Sequence, residues 1–295
     1  MTIRDRLIDG NLALTQSDLK IARALLANYP AAGLNTVAHL AQTAGVSGPS
    51  VVRFVARLGF DGYPEFQQVL LSEVQERMSS PLTMMRAGKG TAAAENQFFE
   101  SMRATAALVD AAVTMQAAND FDRAVGLIAD ASLSIHCLGG RFSGYLAGML
   151  WAHLNQLRKG CRWLRGNRSE LVDAMVDIGR RDVLVVYDYR RYQLDTIQLA
   201  RTAAAQGGRI VLFTDPYASP IAGLADAVLT APVDNPSPFD TMVPALAQTE
   251  ALIAALAVRL ADHSRSRIER LEALRDASSV TEDALNVSQK EITRD

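Results

Sequence analysis

The sequence has few of the residues that build metal sites or disulfide frameworks. Among its 295 residues there are two cysteines and four histidines, and the histidines are scattered without metal-ligand spacing. Two cysteines are too few for a thiolate zinc site or a disulfide scaffold, and their scarcity fits a reducing compartment. We therefore expect neither a metal nor a cofactor.

The chain also lacks a surplus of charge of either sign. It has 30 basic and 32 acidic side chains, which gives a net charge of −2 at neutral pH. Binding to nucleic acid through bulk positive charge is excluded, so any contact with DNA must come from a local surface. With 49% hydrophobic and 21% charged residues, the composition is that of a folded globular protein.

No segment has the pattern of a signal peptide or a membrane span. The first 15 residues are charged and lack an apolar central segment. The most apolar long stretch, 245–261, is interrupted by Gln248, Glu250 and Arg259, which is typical of a buried helix. These observations predict a cytoplasmic protein.

The sequence divides into two predicted domains. Residues 1–78 are predicted to form short helices, and residues 79–94, with small residues and glycine, are predicted to be a linker. The second domain is predicted to span residues 95–278, and the polar residues 279–295 are predicted to form a C-terminal tail.

The second domain shows alternation of strand and helix patterns from about residue 133. The clearest strands are the apolar runs at 182–188 and 209–214, and a closing helix is predicted at 239–262. Near-continuous apolar strands that alternate with helices predict a parallel sheet covered on both faces. The fold class is therefore α/β, with an all-α domain at the N-terminus.

Two short helices joined by a turn that contains glycine are predicted around residues 41–54, AQTAGVSGPSVVRF. This is the arrangement of a helix-turn-helix that reads DNA. The apolar residues of the second helix are spaced to face inward, which turns the opposite face outward. The residues predicted to contact DNA on or beside that face are Ser47, Pro49, Ser50, Arg53 and Arg57.

Arg53 is the candidate for contact with a guanine edge or a phosphate, because a guanidinium group suits both. The hydroxyl and backbone groups of Ser47 and Ser50 suit phosphate. One such module makes few contacts with DNA and would bind weakly. We therefore expect a dimer, which supplies enough contacts. The alternative is an interaction domain in which both arginines are merely solvated.

The stretch at 36–66, TVAHLAQTAGVSGPSVVRFVARLGFDGYPEF, resembles the N-terminal domain of the RpiR/MurR family of bacterial transcription regulators. The pattern VS-x-x-(S/T)-V-x-RF-x-x-x-LGF-x-GY-x-EF carries the resemblance, with Ser50 where the family usually has threonine. The resemblance covers about the first quarter of the chain. It implies a helix-turn-helix domain followed by a flavodoxin-like α/β/α SIS (sugar isomerase) domain, which binds phosphosugars at the carboxyl ends of its strands.

The first loop of the second domain, LGGRFS at 138–143, is similar to the G-x-G-x-S turn of SIS domains, with slightly different glycine positions. Glycine lets the backbone approach an anion, and Ser143 opens a helix whose N-terminus favours negative charge. A tight turn from strand to helix also requires glycine. The loop therefore has both a ligand-binding and a purely structural explanation.

The second loop departs from the family pattern S-x-S-G-x-T, which lines a phosphate pocket with hydroxyls. The chain has DYRRYQ at 188–193, with Asp188 and Arg190 at the serine positions. Arg191 stands at the glycine position and Gln193 at the threonine position. The hydroxyls are absent, and an arginine stands where glycine permits close approach of the backbone.

Three interpretations of the second loop are open. Arg190 or Arg191 binds a carboxylate or phosphate, with Tyr187, Tyr189 and Tyr192 as aromatic walls. Alternatively, an arginine pairs with Asp188 and closes the site, or the loop serves an oligomer interface. We favour the first. The predicted ligand-binding residues are Gly139, Gly140, Arg141, Ser143, Asp188, Arg190, Arg191 and Glu250.

Isomerisation of a phosphosugar requires a carboxylate or histidine base near the sugar. The candidates between residues 131 and 262 are His136, His153, Glu170 and Glu250. The first three have a structural explanation in a strand or a helix, whereas Glu250 on the closing helix is expected within reach of the pocket. With the phosphate loop changed as well, we predict that the protein is not an enzyme.

The predicted function is that of a bacterial DNA-binding transcriptional regulator. Its SIS-like domain is expected to sense a small anionic metabolite, a phosphosugar or a carboxylate, and to form a homodimer or homotetramer. The alternatives are a SIS-type phosphosugar isomerase with a fused helical module, and a scaffold that binds neither DNA nor ligand.

Overall fold

The computed structural model describes residues 3–8, 14–27, 29–78, 80–86, 88 and 96–278. The predicted C-terminal tail at 279–295 and much of the predicted linker lie outside the described residues.

The N-terminal part is helical. Its helices are α1 (Ile3–Ile8), α2 (Gln16–Ala27), α3 (Ala31–Leu34), α4 (Val37–Ala44), α5 (Gly48–Arg57), α6 (Tyr63–Met78) and α7 (Pro81–Arg86). One apolar cluster, which extends from Ile3 to Leu70, forms the core of α1 to α6. This cluster shares no buried residue with the cores of the second part.

The predicted helix-turn-helix is formed by α4 and α5. Gly45 ends α4 in the left-handed conformation, with φ of +64°, and Ser47 precedes α5 in an extended conformation. Val51, Phe54 and Val55 are fully buried on the inner face of α5. The apolar spacing therefore identified the correct face of this helix, and the opposite face is turned to solvent.

The range predicted as a linker includes α7. The Ser80 hydroxyl accepts a hydrogen bond from the Thr83 N–H at 3.1 Å, as a helix cap does, and Pro81 suits the first turn. Met84 is 7% exposed, because it packs against the second part of the chain. The prediction of a linker missed this short helix because the range is rich in small residues, and the burial of Met84 is not visible in the local sequence.

The second part contains five strands and seven α-helices among the described residues. They are α8 (Gln97–Met115), α9 (Ala118–Ala129), β1 (Ser134–Gly139), α10 (Gly144–Leu157), β2 (Cys161–Trp163), α11 (Arg168–Asp173), β3 (Asp182–Tyr187), α12 (Leu194–Ala205), β4 (Arg209–Thr214), β5 (Ala227–Thr230), α13 (Val243–Arg259) and α14 (Ala261–Ala277).

The five strands form one parallel sheet in the order β2-β1-β3-β4-β5. One apolar cluster covers the face of the sheet under α9, α10 and α13, and another covers the face under α11 and α12. The sequence-based prediction of an α/β fold is confirmed. Because the chain reverses direction across the sheet after β2, β1 and β3 flank a topological switch point, where open α/β sheets bind ligands.

The closing helix differs from its prediction at 239–262. It begins at Val243, and a separate polar helix, α14, follows from Ala261. The Arg267 Nε donates to the Asn155 carbonyl at 2.8 Å, which fixes α14 against α10. No single described helix is long and apolar enough to cross a bilayer, and α13 with residues 264–277 meets that criterion only as a pair bent by 109°.

Candidate functional site

The outer face of α5 carries a row of polar groups. The Ser47 and Ser50 hydroxyl oxygens are 2.9 Å apart, and the Arg53 Nη2 donates to the Ser50 Oγ at 3.2 Å. Ser47, Pro49 and Arg53 are exposed, and Ser50 is half-buried. The structure therefore places four of the five predicted DNA-contacting residues together along the first turns of one helix.

Arg57 is exposed on the same helix but has a partner within the domain. Its Nη1 lies 2.7 Å from the Asp18 Oδ2, and the Asp18 side chain is only 2% exposed. The same oxygen of Asp18 accepts the Thr15 N–H at 2.8 Å, at the start of α2. Arg57 therefore fixes α5 against α2, a contact that the sequence-based prediction did not include.

The predicted DNA-contacting residues did not include the basic residues beside α4. A surface cleft of about 430 Å³ between α2 and α4 is lined by Lys20, Arg23 and His39. Both basic residues of α2 are exposed. Lys20 and Arg23 are three residues apart, which places them on the same face of α2. This spacing was the sequence signal for a local basic surface.

A second cleft lies at the carboxyl ends of β1 and β3, at the switch point of the sheet. Its volume is about 370 Å³, and it is bounded by the loop before α10, the loop before α12 and the segment before α13. Six of the eight predicted ligand-binding residues line it: Gly140, Arg141, Ser143, Asp188, Arg190 and Arg191.

Two of the predicted ligand-binding residues do not line this cleft. Gly139 lies behind the first loop, where a Cβ atom would come within 2.6 Å of the Gly144 nitrogen. Glycine is therefore required there by the close approach of the start of α10. Glu250 is exposed on α13 and is absent from the cleft wall, because it lies on the solvent side of this helix, next to the buried Thr249.

Ser143 ties the first loop to the sheet. Its hydroxyl donates to the Tyr187 carbonyl at 2.7 Å and accepts the Gly140 N–H at 2.9 Å. The side chain is buried, and its proton is already engaged with the end of β3. This contact holds the two loops at a fixed separation.

Arg191 keeps the backbone conformation of a glycine. Its φ is +64°, in the left-handed region that costs a side-chain-bearing residue about 1–2 kcal/mol. The loop thus retains a glycine-like backbone at this position although an exposed arginine has replaced the glycine.

Arg190 is enclosed by carboxylates. Its Nη2 lies 2.8 Å from the Asp234 Oδ1, and its Nε donates to the Asp240 Oδ1 at 2.9 Å. The side chain is 2% exposed. Burial alone would lower the pKa of Arg190, but its bonds to Asp240 and Asp234 raise that pKa above its usual value.

These contacts favour the ion-paired interpretation of the second loop. The partners of Arg190 are Asp234 and Asp240, from the segment that connects β5 with α13, rather than Asp188 as expected. The predicted tyrosine walls are also largely wrong. Only Tyr189 lines the cleft, since the Tyr187 hydroxyl contacts Thr249 and the Tyr192 hydroxyl donates to Asp215.

Asp188 is 2% exposed at the base of the second loop. Its Oδ2 accepts the Ser219 hydroxyl, and its Oδ1 accepts the Gln193 N–H at 3.4 Å. Burial raises the pKa of Asp188 to about 7, and the neighbouring Asp215 and Asp195 add to this effect against the hydrogen bonds that lower it. The group therefore changes charge near neutral pH.

Gln193 connects the two loops and was not among the predicted site residues. Its side-chain Oε1 accepts the Arg141 N–H across the cleft. A further cleft of about 340 Å³ lies on its other side and shares Gly140, Arg141 and Gln193 with the first. The position of Gln193 in the S-x-S-G-x-T pattern was the only sequence signal for this role.

The helix α7 forms part of the cleft wall. Pro81 and Met84 line the cleft, and the Met84 Sδ is 4.0 Å from the Arg190 Nη2. Since α7 follows α6 closely in the chain, the segment that leads from the helix-turn-helix domain lies directly on this cleft.

The residues considered as isomerase bases lie elsewhere. The His136 Nε2 is 2.7 Å from the Asp182 Oδ1 within the sheet, and Glu170 forms a capping box with Asn167. His153 is exposed on α10, and neither it nor Glu250 lines the cleft. In the described ranges, no three His, Cys, Asp or Glu side chains group as metal ligands.

Comparison with known proteins finds similarity in both parts of the chain. Residues 1–77 match the model of the helix-turn-helix domain of the rpiR family, and residues 127–255 match the model of the SIS domain. The HTH-type transcriptional regulator HexR of Pseudomonas aeruginosa is 27% identical over 236 residues, which are 77% of this chain and 76% of HexR.

The solved structures that share the fold include the following two. The sugar isomerase domain of an RpiR transcription factor from Sphaerobacter thermophilus superposes with a TM-score of 0.57 and 23% identity, covering 60% of this chain and 99% of that one. The Vibrio vulnificus NanR protein complexed with ManNAc-6P superposes with a TM-score of 0.53 and 16% identity, covering 94% of this chain and 98% of that one.

Proposed function

Because the chain belongs to the RpiR family of transcriptional regulators, which join a helix-turn-helix domain to a SIS domain, we propose that α5 binds operator DNA under the control of a small anionic metabolite. One observation carries the proposal. Ser47, Ser50 and Arg53 form an exposed row at the start of α5. Among the described carboxylates, none is paired with Arg53, whereas Arg57 is paired with Asp18.

Replacement of Arg53 by alanine is expected to weaken operator binding by about 1–3 kcal/mol, which is roughly 5- to 150-fold. The reason is that the guanidinium group would lose a bidentate contact with a base or a charged contact with a phosphate. The measurement is a titration of an operator fragment at fixed salt with the wild type and with Arg53→Ala.

The matched control is Arg201→Ala, which removes an exposed arginine from α12 in the other domain. It should leave the affinity for the operator unchanged. If Arg53→Ala binds as tightly as the control at the same salt concentration, Arg53 does not belong to the interface.

We propose that two copies act together, as a homodimer or homotetramer, because one helix-turn-helix makes too few contacts for tight binding. The exposed apolar side chains of α8, among them Phe98, Phe99 and Met102, support α8 as part of a contact between copies. In this proposal residues 1–78 bind DNA, residues 95–278 bind the effector and the second copy, and the regulator acts in the cytoplasm.

The effector is proposed to bind in the cleft at the switch point of the sheet. Gly140, Arg141, Ser143, Asp188 and Arg191 line it, and Arg190 acts there as a positioning residue that holds Asp234 and Asp240. Arg141 and Arg191 are the exposed guanidinium groups available to an anion. Because Pro81 and Met84 of α7 form one wall, an effector in the cleft contacts the segment that follows the DNA-binding domain.

Such a contact explains how an effector changes DNA binding. If the effector binds one position of α7 better than another, the arrangement of the DNA-binding domains changes with it. A coupling free energy of about 1–3 kcal/mol would change operator affinity roughly 5- to 150-fold.

The burial of the Asp188 carboxyl group in the cleft favours a SIS-type isomerase as the second candidate. A buried carboxyl group in a cleft, with a pKa of about 7, suits acid–base catalysis. Both of its oxygens, however, already accept hydrogen bonds, from Gln193 and Ser219. We propose that the protein is not an enzyme, and turnover of a phosphosugar by the wild type that is absent in Asp188→Asn would support the isomerase.

A further inference from the structure

The space between the two loops of the effector cleft is where the N-termini of α10 and α12 converge. Backbone N–H groups at such termini favour an anion such as a phosphate group. In this chain, however, oxygen atoms of its own side chains accept two backbone N–H groups in each loop. The accepting side chains differ between the two loops, but in each loop these donors are already occupied.

In the first loop, the Arg141 N–H donates to the Oε1 of Gln193, which reaches across from the second loop. The neighbouring Gly140 N–H donates to the Ser143 hydroxyl at 2.9 Å. The amide oxygen of Gln193 therefore occupies the position that an oxygen of a bound anion would take at the Arg141 N–H.

In the second loop, two buried carboxylates accept the backbone donors. The Arg190 N–H donates to the Asp215 Oδ2 at 2.5 Å, and the Gln193 N–H donates to the Asp188 Oδ1 at 3.4 Å. Asp215 is fully buried and Asp188 nearly so. A phosphate group between the loops would approach Asp188, which lines the cleft, and the repulsion between like charges in this poorly solvated site grows as the carboxyl group ionises near neutral pH.

Gln193 differs from Asp188 and Asp215 because its side chain can move out of the space between the loops. Its side chain lies between two clefts, of about 370 and 340 Å³, that share Gly140 and Arg141. Withdrawal of this side chain would join the two spaces and free the Arg141 N–H. The carboxylates, in contrast, are integrated into the buried hydrogen-bond network of β3 and β4.

We propose that Gln193 determines the specificity of the cleft by excluding phosphate from the space between the two loops. The effector of this regulator therefore presents hydroxyl or other uncharged groups to the loops, and any acidic group lies towards Arg141 and Arg191 at the exposed side of the cleft. This inference rests on the proposed function only in taking the cleft as the effector site.

The test compares phosphate binding by the wild type and by Gln193→Ala. Inorganic phosphate is titrated into each protein at constant ionic strength against chloride, and the thermal unfolding midpoint is recorded. Gln193→Ala is expected to gain a saturable stabilisation, with half-saturation at a phosphate concentration at least about tenfold lower than in the wild type.

Gln198→Ala is the matched control, because Gln198 lies one turn further along α12, is exposed and lines neither of these clefts. It should respond to phosphate as the wild type does. Gln193→Thr, which shortens the side chain and adds a hydroxyl group, repeats the comparison if Gln193→Ala does not fold.

Equal phosphate responses of the wild type and the Gln193 variants would overturn the proposal, whether all of them bind phosphate or none does. Operator binding by the wild type without added effector is measured in parallel. Failure of the wild type to bind any operator would contradict the proposed function, while the phosphate comparison would still decide the role of Gln193.

Discussion

Replacement of Asp188 by asparagine is expected to change the free energy of unfolding differently at pH 5 and at pH 8. Relative to the wild type, the variant should be about 2–3 kcal/mol more favoured at pH 8 than at pH 5. Burial raises the pKa of Asp188 from 3.8 to about 7 in the folded protein. In the unfolded chain the carboxyl group ionises at its ordinary pKa near 4. The folded state therefore holds a proton that the unfolded state releases between these two values.

The sign of this effect follows from proton linkage. The contribution of protonated Asp188 to stability is fully present below about pH 4 and is lost as the pH rises through about 7. Asparagine is neutral at every pH, so the variant does not undergo this loss. The difference between variant and wild type should grow with pH up to about 7 and then level off.

Urea unfolding of the wild type and Asp188→Asn at several pH values between 5 and 8 measures this difference directly. Asp177→Asn serves as the control, since Asp177 is exposed beyond α11. A constant difference across this pH range would show that Asp188 is ionised in the folded protein and that the proposed titration in the cleft is wrong.

Removal of both carboxylates around Arg190 is expected to have an effect of similar size. The double variant Asp234→Asn with Asp240→Asn should lose about 3 kcal/mol of unfolding free energy. Its Arg190 guanidinium would be left buried, at 2% exposure, without a compensating charge. Most of the loss should come from Asp240, because Asp234 is 44% exposed and its interaction is screened by solvent.

Addition of Arg190→Met to this double variant supplies the control. An apolar side chain of similar length has no charge to compensate, so most of the lost stability should return. Urea unfolding of the three proteins tests the prediction. A double variant as stable as the wild type would show that solvent reaches Arg190, and direct binding of an anion by this residue would then be the better interpretation.

The sequence was most informative where local rules decide the structure. Gly45 ends α4 in the left-handed conformation, and β4 lies at 209–214 as predicted. At the start of α2, the Thr15 N–H donates to Asp18 Oδ2 at 2.8 Å and the Asp18 N–H donates to Thr15 Oγ1 at 3.3 Å. Each of these features depends on neighbouring residues or on an apolar run, which a single sequence displays.

Helices without a continuous apolar face were harder to predict. The helix α14 is polar along most of its length and is fixed by tertiary contacts such as that of Arg267 with Asn155. The short α7 depends on the burial of Met84 in a distant part of the chain. Neither stabilising contact is visible in the local pattern.

At the candidate site, too, contacts between distant parts of the chain could not be predicted from the sequence. The first loop and the second loop were both located correctly, because they follow the predicted strands β1 and β3. The partners of Arg190 lie 44 and 50 residues further along the chain, and the partner of Arg57 lies on another helix. Charge pattern alone identifies these arginines as candidates but does not show which carboxylates they contact.

Selection of particular DNA sites through α5 is the proposed activity of this chain. The most direct test incubates the purified protein with fragments of its own genome at about physiological salt, recovers the bound fragments and sequences them, with Arg53→Ala treated in the same way. We expect the wild type to enrich a few fragments that share a two-fold or repeated site, and Arg53→Ala to lose this enrichment. Uniform recovery, or none, from folded wild-type protein would contradict it.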